Sequence, residues 1–363
     1  RSGVNLHLEK GAVVRFLPDP ALYLPPVLTR WEGMELMGYS PLVYALDEES
    51  IAVTGEGTLD GGADEQHWWP WKGKGPEGQK ADRERLFRMA EEGVAVEARV
   101  FGEGSRLRPP FVEPYRCRNV LIEGVTITNA PFWAIHPVLS RNVTVRNVKV
   151  VSHGPNNDGC DPESSSDVLI EDSVFDTGDD CIALKSGRNA DGRRLATPVE
   201  RVVVRRCTMK AGHGGVTIGS EISGGARDVF VEKCEMSSPD LERGLRLKTN
   251  ASRGGVIENV FLRDVTIGEV GNAVDVDMYY EEGPNGAFLP TVRSVRIERM
   301  SVAKAAYALY LRAFDGAPIR GLSVKDSVFR QVEKGNRIEG TVDVALDNVT
   351  ILPAPPKERA PAK

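Results

Sequence analysis

The chain has 363 residues, 41% hydrophobic and 27% charged, with a formal net charge of −6. That length allows a large buried core in one or two domains. The acidic balance argues against a nucleic-acid binder and means that an anionic substrate needs a local basic patch. No apolar run reaches the roughly 18 residues of a helical membrane span, and no signal peptide is visible.

The chain opens on strand-like sequence, Gly3 to Leu8, so an upstream segment is expected. Ser2 to Phe16 and Ile51 to Gly61 read as the first coils of a repeat. Between them and the next copy, residues 62–108 form an insertion rich in charge and aromatics. It contains a helical piece near Ala81 to Glu92 and the cluster His67-Trp68-Trp69-Pro70-Trp71, which is either a sugar-stacking platform or the hydrophobic foot of the insertion.

A phrase of alternating β-branched and polar residues then recurs. It is marked by Val120, Val143, Val168, Val202, Val229, Val260, Val295, Leu322 and Val349, at steps of 23, 25, 34, 27, 31, 35, 27 and 27 residues. Repeats of this length made of short strands indicate a solenoid. With little helical pattern, the expectation is an all-β parallel β-helix over 1–353 as one domain, rather than a sandwich of hairpins. The tail, 354–363, reads as disordered. The five cysteines, 117, 160, 181, 207 and 234, are odd in number and lack Cys-x-x-Cys spacing. They argue against a disulfide framework or zinc site and are expected to be small buried residues. No cofactor and no metal is expected.

In a solenoid, equal offsets from the mark stack about 4.8 Å apart. Asp179 and His213 share one offset, and Ile182 and Val216 share another. Leu245, Val274 and Leu309 continue the inward row. Alternation then sends two ladders outward: Ala183, Thr217, Arg246, Asp275, Tyr310, and Lys185, Gly219, Lys248, Asp277, Arg312. Asp275 and Asp277 are expected to hold Arg246 and Lys248 in place. Strict alternation would send Asp179 and Asp180 to opposite faces, and Gly178 suggests a bend that turns both to the cleft. Asp158, Asp179, Asp180, His213, Arg246 and Lys248 thus gather from four consecutive coils, a convergence expected of an active site.

These residues carry a resemblance. Asn156-Asn157-Asp158, Asp179-Asp180, Gly212-His213-Gly214 and Arg246-Leu247-Lys248 resemble the Asn-Thr-Asp, Asp-Asp, Gly-His-Gly and Arg-Ile-Lys signatures of glycoside hydrolase family 28, the polygalacturonases. Phrases such as Tyr23-Leu24-Pro25, Leu28-Thr29-Arg30, Tyr39 to Tyr44 and His67 to Trp71 resemble bacterial exo-acting members. Asn157 and Leu247 depart mildly from the pattern. The usual first coil and capping helix are absent from the sequence, so loss of the start is expected.

The resemblance implies a right-handed β-helix of pectin-hydrolase type that hydrolyses α-1,4-galacturonosidic bonds with inversion. Asp179 is then the general acid, Asp158 and Asp180 hold and activate water, and His213 tunes the acid. Arg246 and Lys248 bind the sugar carboxylate, and Tyr280 lies in the cleft. Asn156, Arg188 and Lys185 complete the substrate-binding candidates. The loop Arg188 to Arg194 is expected to supply the basic patch. Exo action on polygalacturonate or oligogalacturonides from the non-reducing end is expected because the insertion is long enough to close one end of the groove. The alternatives are an endo-polygalacturonase, a rhamnogalacturonan hydrolase, a calcium-dependent pectate lyase using Asp158, Asp161, Asp179 and Asp180, and a non-catalytic adhesin. A pectin substrate suggests a secreted or periplasmic protein, with the cytoplasm as the other location. The sequence gives no oligomeric state.

Overall fold

In every coil the chain turns two corners at fixed places, and these corners define the fold. The computed structural model describes residues 1–73 and 78–355. The residue before each mark is left-handed: Ser50, Asn119, Asn142, Asp167, Arg201, Asp228, Asn259 and Ser294, with φ between 52° and 57°, and Gly321 at 61°. The residue four after each mark is left-handed too: Gly55, Gly124, Asn147, Asp172, Arg206, Lys233, Asp264, Arg299 and Asp326. Asn, Asp and Gly tolerate this conformation best, which explains why the repeated phrase so often begins with Asn or Asp. Where Arg206 and Arg299 stand there, each guanidinium holds the carboxylate one coil back, Asp172 and Asp264, with both contacts at 2.7 Å.

Between the corners the strands stack in parallel, and the marks pair in one unbroken column: Ile51, Val120, Val143, Val168, Val202, Val229, Val260, Val295 and Leu322. The result is a right-handed parallel β-helix, and its core runs continuously from Leu8 to Val332. The last mark requires a correction. Leu322 pairs with Val344, and Val349 pairs with Ser327, so Val349 is one corner further on. Asn348 is left-handed at φ 51°. Both corners present a left-handed Asn followed by a β-branched residue, so Asn348-Val349 resembles a mark without being one.

All five cysteines are buried and free. The insertion contains helix α1, Lys80–Glu91. A hairpin, Val27–Trp31 against Met34–Gly38, lies beside it. Their shared apolar cluster of Trp31, Met34, Leu36, Leu86, Phe101, Phe132 and Trp133 anchors both to the coils. The tryptophan cluster is a hydrophobic foot: Trp68 is 2% exposed and packs on Tyr23, Tyr39 and Trp71. Trp69 donates from Nε1 to the Ala130 carbonyl at 3.0 Å. At the other end, Ala354 donates to the Val332 carbonyl at 3.0 Å. The rest of the tail expected to be disordered, residues 356–363, lies outside the described residues.

Candidate active site

The bend before the strand Ile182–Leu184 decides where the carboxylates go. Gly178 sits so close to the Gly154 carbonyl and the His153 backbone that no side chain fits. The Thr177 hydroxyl donates to the Asp179 carbonyl at 2.8 Å, and the His213 backbone N–H reaches the same oxygen at 3.1 Å. Regular alternation starts only at Ile182, so Asp179 and Asp180 escape the opposite-face rule that a strand would impose. The register then follows the expected stacking. Ile182, Val216, Leu245, Val274 and Leu309 form one inward column. Ala183, Thr217, Arg246, Asp275 and Tyr310 form the neighbouring outward one.

Asp158, Asp179 and Asp180 each place a carboxylate oxygen within 4.8 Å of the other two. Their surroundings differ. Asp180 is fully buried and accepts from Thr217 Oγ1 at 2.8 Å, Arg246 Nη1 at 3.1 Å and Lys248 Nζ at 2.8 Å. Burial alone would favour its neutral form, but Lys248, Arg246 and Lys185 outweigh it and hold Asp180 far below the ordinary carboxylate range. Asp179 Oδ1 accepts from the Asp180 N–H at 3.0 Å and lies 2.9 Å from His213 Nδ1. Burial opposes its charge, yet the His213 hydrogen bond wins and keeps Asp179 below its usual value. The same bond raises His213. Asp158 is 2% exposed, and its Oδ1 has no partner. Burial, and then the charge of Asp179, pushes it up to about 7. Asp161, fully buried beside Asp158, is pushed well above its usual value by burial and by the Asp158 charge, so near neutral pH the Asp158–Asp161 pair favours a proton while Asp179, the expected donor, favours its charged form.

The cations are held differently from expectation. Arg246 and Lys248 are clamped by Asp180, not by Asp275 and Asp277. Asp275 instead accepts from Asn272 at 2.7 Å and faces Arg243 at 3.4 Å, while Asp277 faces Arg312 at 3.5 Å. The backbone register is as expected, but the long side chains lean across the coils toward the deeper charge. Lys185 is buried above the Trp133 ring at 4.3 Å. It sits 3.3 Å from Glu221, 3.6 Å from Asp158 and 3.7 Å from Asp161. Burial lowers its affinity for a proton, but these carboxylates raise it well above the ordinary value. Arg188 faces four carboxylates: Glu281 at 3.2 Å, Glu221 at 3.4 Å, and Glu32 and Glu282 at 3.7 Å. The segment after it is helix α2, Asn189–Leu195. There Arg193 donates to the Ser252 carbonyl and Arg194 binds Glu35 and Asp191, so only Arg188 of the expected basic loop reaches the site.

These groups line a cavity of about 310 Å³. Asn156, Asp158, Asp179, Lys185, Arg188, His213, Lys248 and Tyr280 all border it. Tyr280 lies beneath both Arg246 and Lys248, at 5.6 Å and 5.2 Å from its ring. The wall also contains Glu32, Lys72, Arg83, Trp133 and Glu221, which the sequence reading missed. Trp133 and Glu221 were within reach of coil stacking, because they flank Asp158 and Lys185 on neighbouring coils. Glu32, Lys72 and Arg83 come from outside the repeat, where no register exists to place them. The close carboxylates also have the geometry of a cation site. Asp180, however, is already neutralised by two protein cations, and the Asp158–Asp161 pair favours a proton, so the donor set suits acid/base chemistry better.

Three comparisons bear on this arrangement. A structure of a hyperthermoactive exopolygalacturonase from Thermotoga maritima superposes with a TM-score of 0.92 at 44% identity, covering 96% of this chain and 82% of that one. A probable polygalacturonase of Vitis vinifera is 26% identical over 98% of this chain and 68% of its own length. An exopolygalacturonase of Rhizopus delemar is 31% identical, but over only 47% of this chain and 43% of its own length. The family model described as glycosyl hydrolases family 28 matches residues 91–327. That span contains every residue of the carboxylate trio, His213 and the Arg246–Lys248 pair, and the chain belongs to glycosyl hydrolase family 28.

Proposed function

We propose that the chain hydrolyses α-1,4-galacturonosidic bonds of polygalacturonate with inversion, releasing galacturonic acid from the non-reducing end. The observation that carries this reading is a single cavity that joins Asp158 and Asp179 to the cations Lys185, Arg188 and Lys248 and is walled by Glu32, Lys72 and Arg83, with Asp180 buried behind it. A wall built from outside the coils leaves room for a chain end rather than a through-running polymer. The 44% identity to an exopolygalacturonase supports the same mode.

The proton inventory gives the sequence of steps. As substrate enters, Asp158 passes its proton to Asp179, less than 4.8 Å away. Asp179, at the cleft edge beside His213, donates that proton to the leaving oxygen as the glycosidic C–O bond breaks. A water held by Asp158 and Asp180 attacks the anomeric carbon, and its proton goes to Asp158, now anionic. The site is then back in its starting state: Asp158 neutral and Asp179 charged against His213. Asp180 never titrates in this cycle; it orients the water and fixes Arg246 and Lys248, which face the sugar carboxylate.

The carboxylate spacing favours a second reading. Inverting sites usually separate the two groups by roughly 6.5–9.5 Å and retaining sites by roughly 5–5.5 Å, and this trio lies within 4.8 Å. Retention needs a free carboxylate nucleophile. Asp180 has both oxygens held by Thr217, Arg246 and Lys248, and Asp158 faces the anomeric carbon through the water that it deprotonates, so inversion through a bound water is the better fit. Two measurements test the proposal. Product sizing on polygalacturonate is expected to give galacturonic acid alone from the first time point, and an early ladder of oligomers overturns exo action. Proton NMR of the first-formed product is expected to give the inverted anomer, and the retained anomer overturns the step sequence.

A further inference from the structure

Arg108 closes the insertion and is fully buried. It differs from every other buried arginine among the described residues. Arg30 has Glu163 at 3.2 Å, Arg99 has Asp191 at 2.7 Å, and Arg246 has Asp180 at 3.1 Å. Arg188 and Arg253 share Glu281 at 3.2 Å and 2.6 Å. Among the described residues Arg108 has no carboxylate within ion-pair distance. Its guanidinium is satisfied by neutral acceptors only. Nη1 donates to the carbonyls of Pro131 at 2.9 Å and Pro155 at 2.6 Å, and Nη2 donates to Asn156 Oδ1 at 2.8 Å and Gln79 Oε1 at 3.4 Å. Nε has no partner. The plane lies over the Phe132 ring at 5.2 Å. An uncompensated buried cation is costly, and burial pushes Arg108 down to about 9.

The geometry resolves one ambiguity. A guanidinium only donates, so the oxygen of the Asn156 amide must face Arg108. The amide nitrogen then faces the other way. Asn156 borders the cavity, is held left-handed at φ 54°, and its nitrogen donates to no described protein atom. Pro155, whose carbonyl is fixed by the same guanidinium, borders the cavity beside it.

On the reading of the site given above, we infer that Arg108 is a positioning residue that locks the Pro155–Asn156 loop with the Asn156 amide N–H groups turned into the cavity, as donors to an acidic sugar. The positive charge under this loop is offset only at longer range by Glu32, Asp179 and Asp158, and the bound galacturonate adds a further counter-charge. The insertion therefore does more than wall the cavity, because it reaches beneath the coil and sets one face of the binding surface.

The test is steady-state kinetics of Arg108→Gln and Asn156→Asp on polygalacturonate, with thermal unfolding of both. Arg108→Gln is expected to raise KM about tenfold or more while kcat changes less than about threefold, since no reacting atom is touched. Asn156→Asp gives Arg108 a carboxylate and removes the donor. It is expected to unfold at a higher temperature than the wild type and to bind substrate worse, a combination that damage to the fold does not produce. Arg108→Lys keeps charge but not the four-acceptor grip and is expected to fall between. If Arg108→Gln fails to fold, the Asn156→Asp pair of readouts decides. Equal KM in Arg108→Gln and wild type, or an Asn156→Asp enzyme that is less stable, overturns the inference. Absence of galacturonate release by the wild type refutes the functional reading itself.

Discussion

Asp180 holds the grip together, and replacing it tests that directly. In Asp180→Asn the shape survives and the charge is lost. Lys248 Nζ at 2.8 Å and Arg246 Nη1 at 3.1 Å then share a buried space with no anion between them, and one amide N–H₂ must face a donor. Breaking a buried pair by removing one partner costs about 3–5 kcal/mol. At about 2.1 cal/mol/K per residue of unfolding entropy, a chain of this length loses about 4–7 °C in Tm. The sign with pH is fixed by the depressed Asp180. A carboxyl lowered in the folded state contributes stability above its ordinary range near 4 and loses it only as pH falls through the folded value. The Tm deficit is therefore expected to be flat from about pH 5 to about pH 8. The assay is thermal unfolding followed by circular dichroism, with Lys248→Met added as a second change. Removing the stranded ammonium is expected to recover part of the loss. A single variant within about 1 °C of wild type, or a double variant whose losses simply add, refutes the clamp.

Asp158 gives the opposite pH sign. A carboxyl raised to about 7 stabilises the fold while protonated and loses that contribution as pH rises from about 4 through about 7. The rate constant kcat/KM is expected to fall above about pH 7, where the shared proton leaves. Asp158→Asn, a permanent mimic of the neutral acid, is expected to be inactive yet to flatten the fall in Tm between about pH 5 and about pH 8; an unchanged slope rules this out. Gly154→Ala would put a methyl inside the Trp69 indole, and it is expected to cost about 1–3 kcal/mol in urea unfolding and to lower activity by moving the 153–157 loop. Wild-type activity in that variant would show that the foot of the insertion does not set the loop.

Much of the site was legible because stacking converts sequence offsets into neighbours. The columns through Ile182 and Ala183 follow from counting, and so does the meeting of Asp179 with His213. Counting fails where the backbone is not a strand. Asp158 reaches the trio through the loop after Ser152, and its register partner across Cys160 and Ile182 is Asp180. Counting also says nothing about long side chains. Arg246 and Lys248 had two acidic neighbours in register and chose Asp180 instead: burial pushes Asp275 toward its neutral form and Asp277 is nearer water, while Asp180 is a buried, fully charged anion. The proton on the Asp158–Asp161 pair rather than Asp179 has the same origin: it depends on which carboxyl is deeper and which has His213, and neither is a property of the motif. Glu32, Lys72 and Arg83 were out of reach because hairpin and insertion lie outside the repeat.

The two left-handed corners of each coil stand at a constant separation from Ile51 to Leu322, while the distance to the next mark ranges from 23 to 35 residues after Val120. All of that variation falls on the other side of the coil. The solenoid therefore has one inextensible edge and one elastic edge. Length added to the elastic edge leaves the valine column undisturbed, yet it rebuilds the rim of the cavity. The insertion at 62–108 is the extreme case, 69 residues separating Ile51 from Val120 with the two still paired. A fold of this kind allows its specificity to be rewritten by lengthening loops without renegotiating its core.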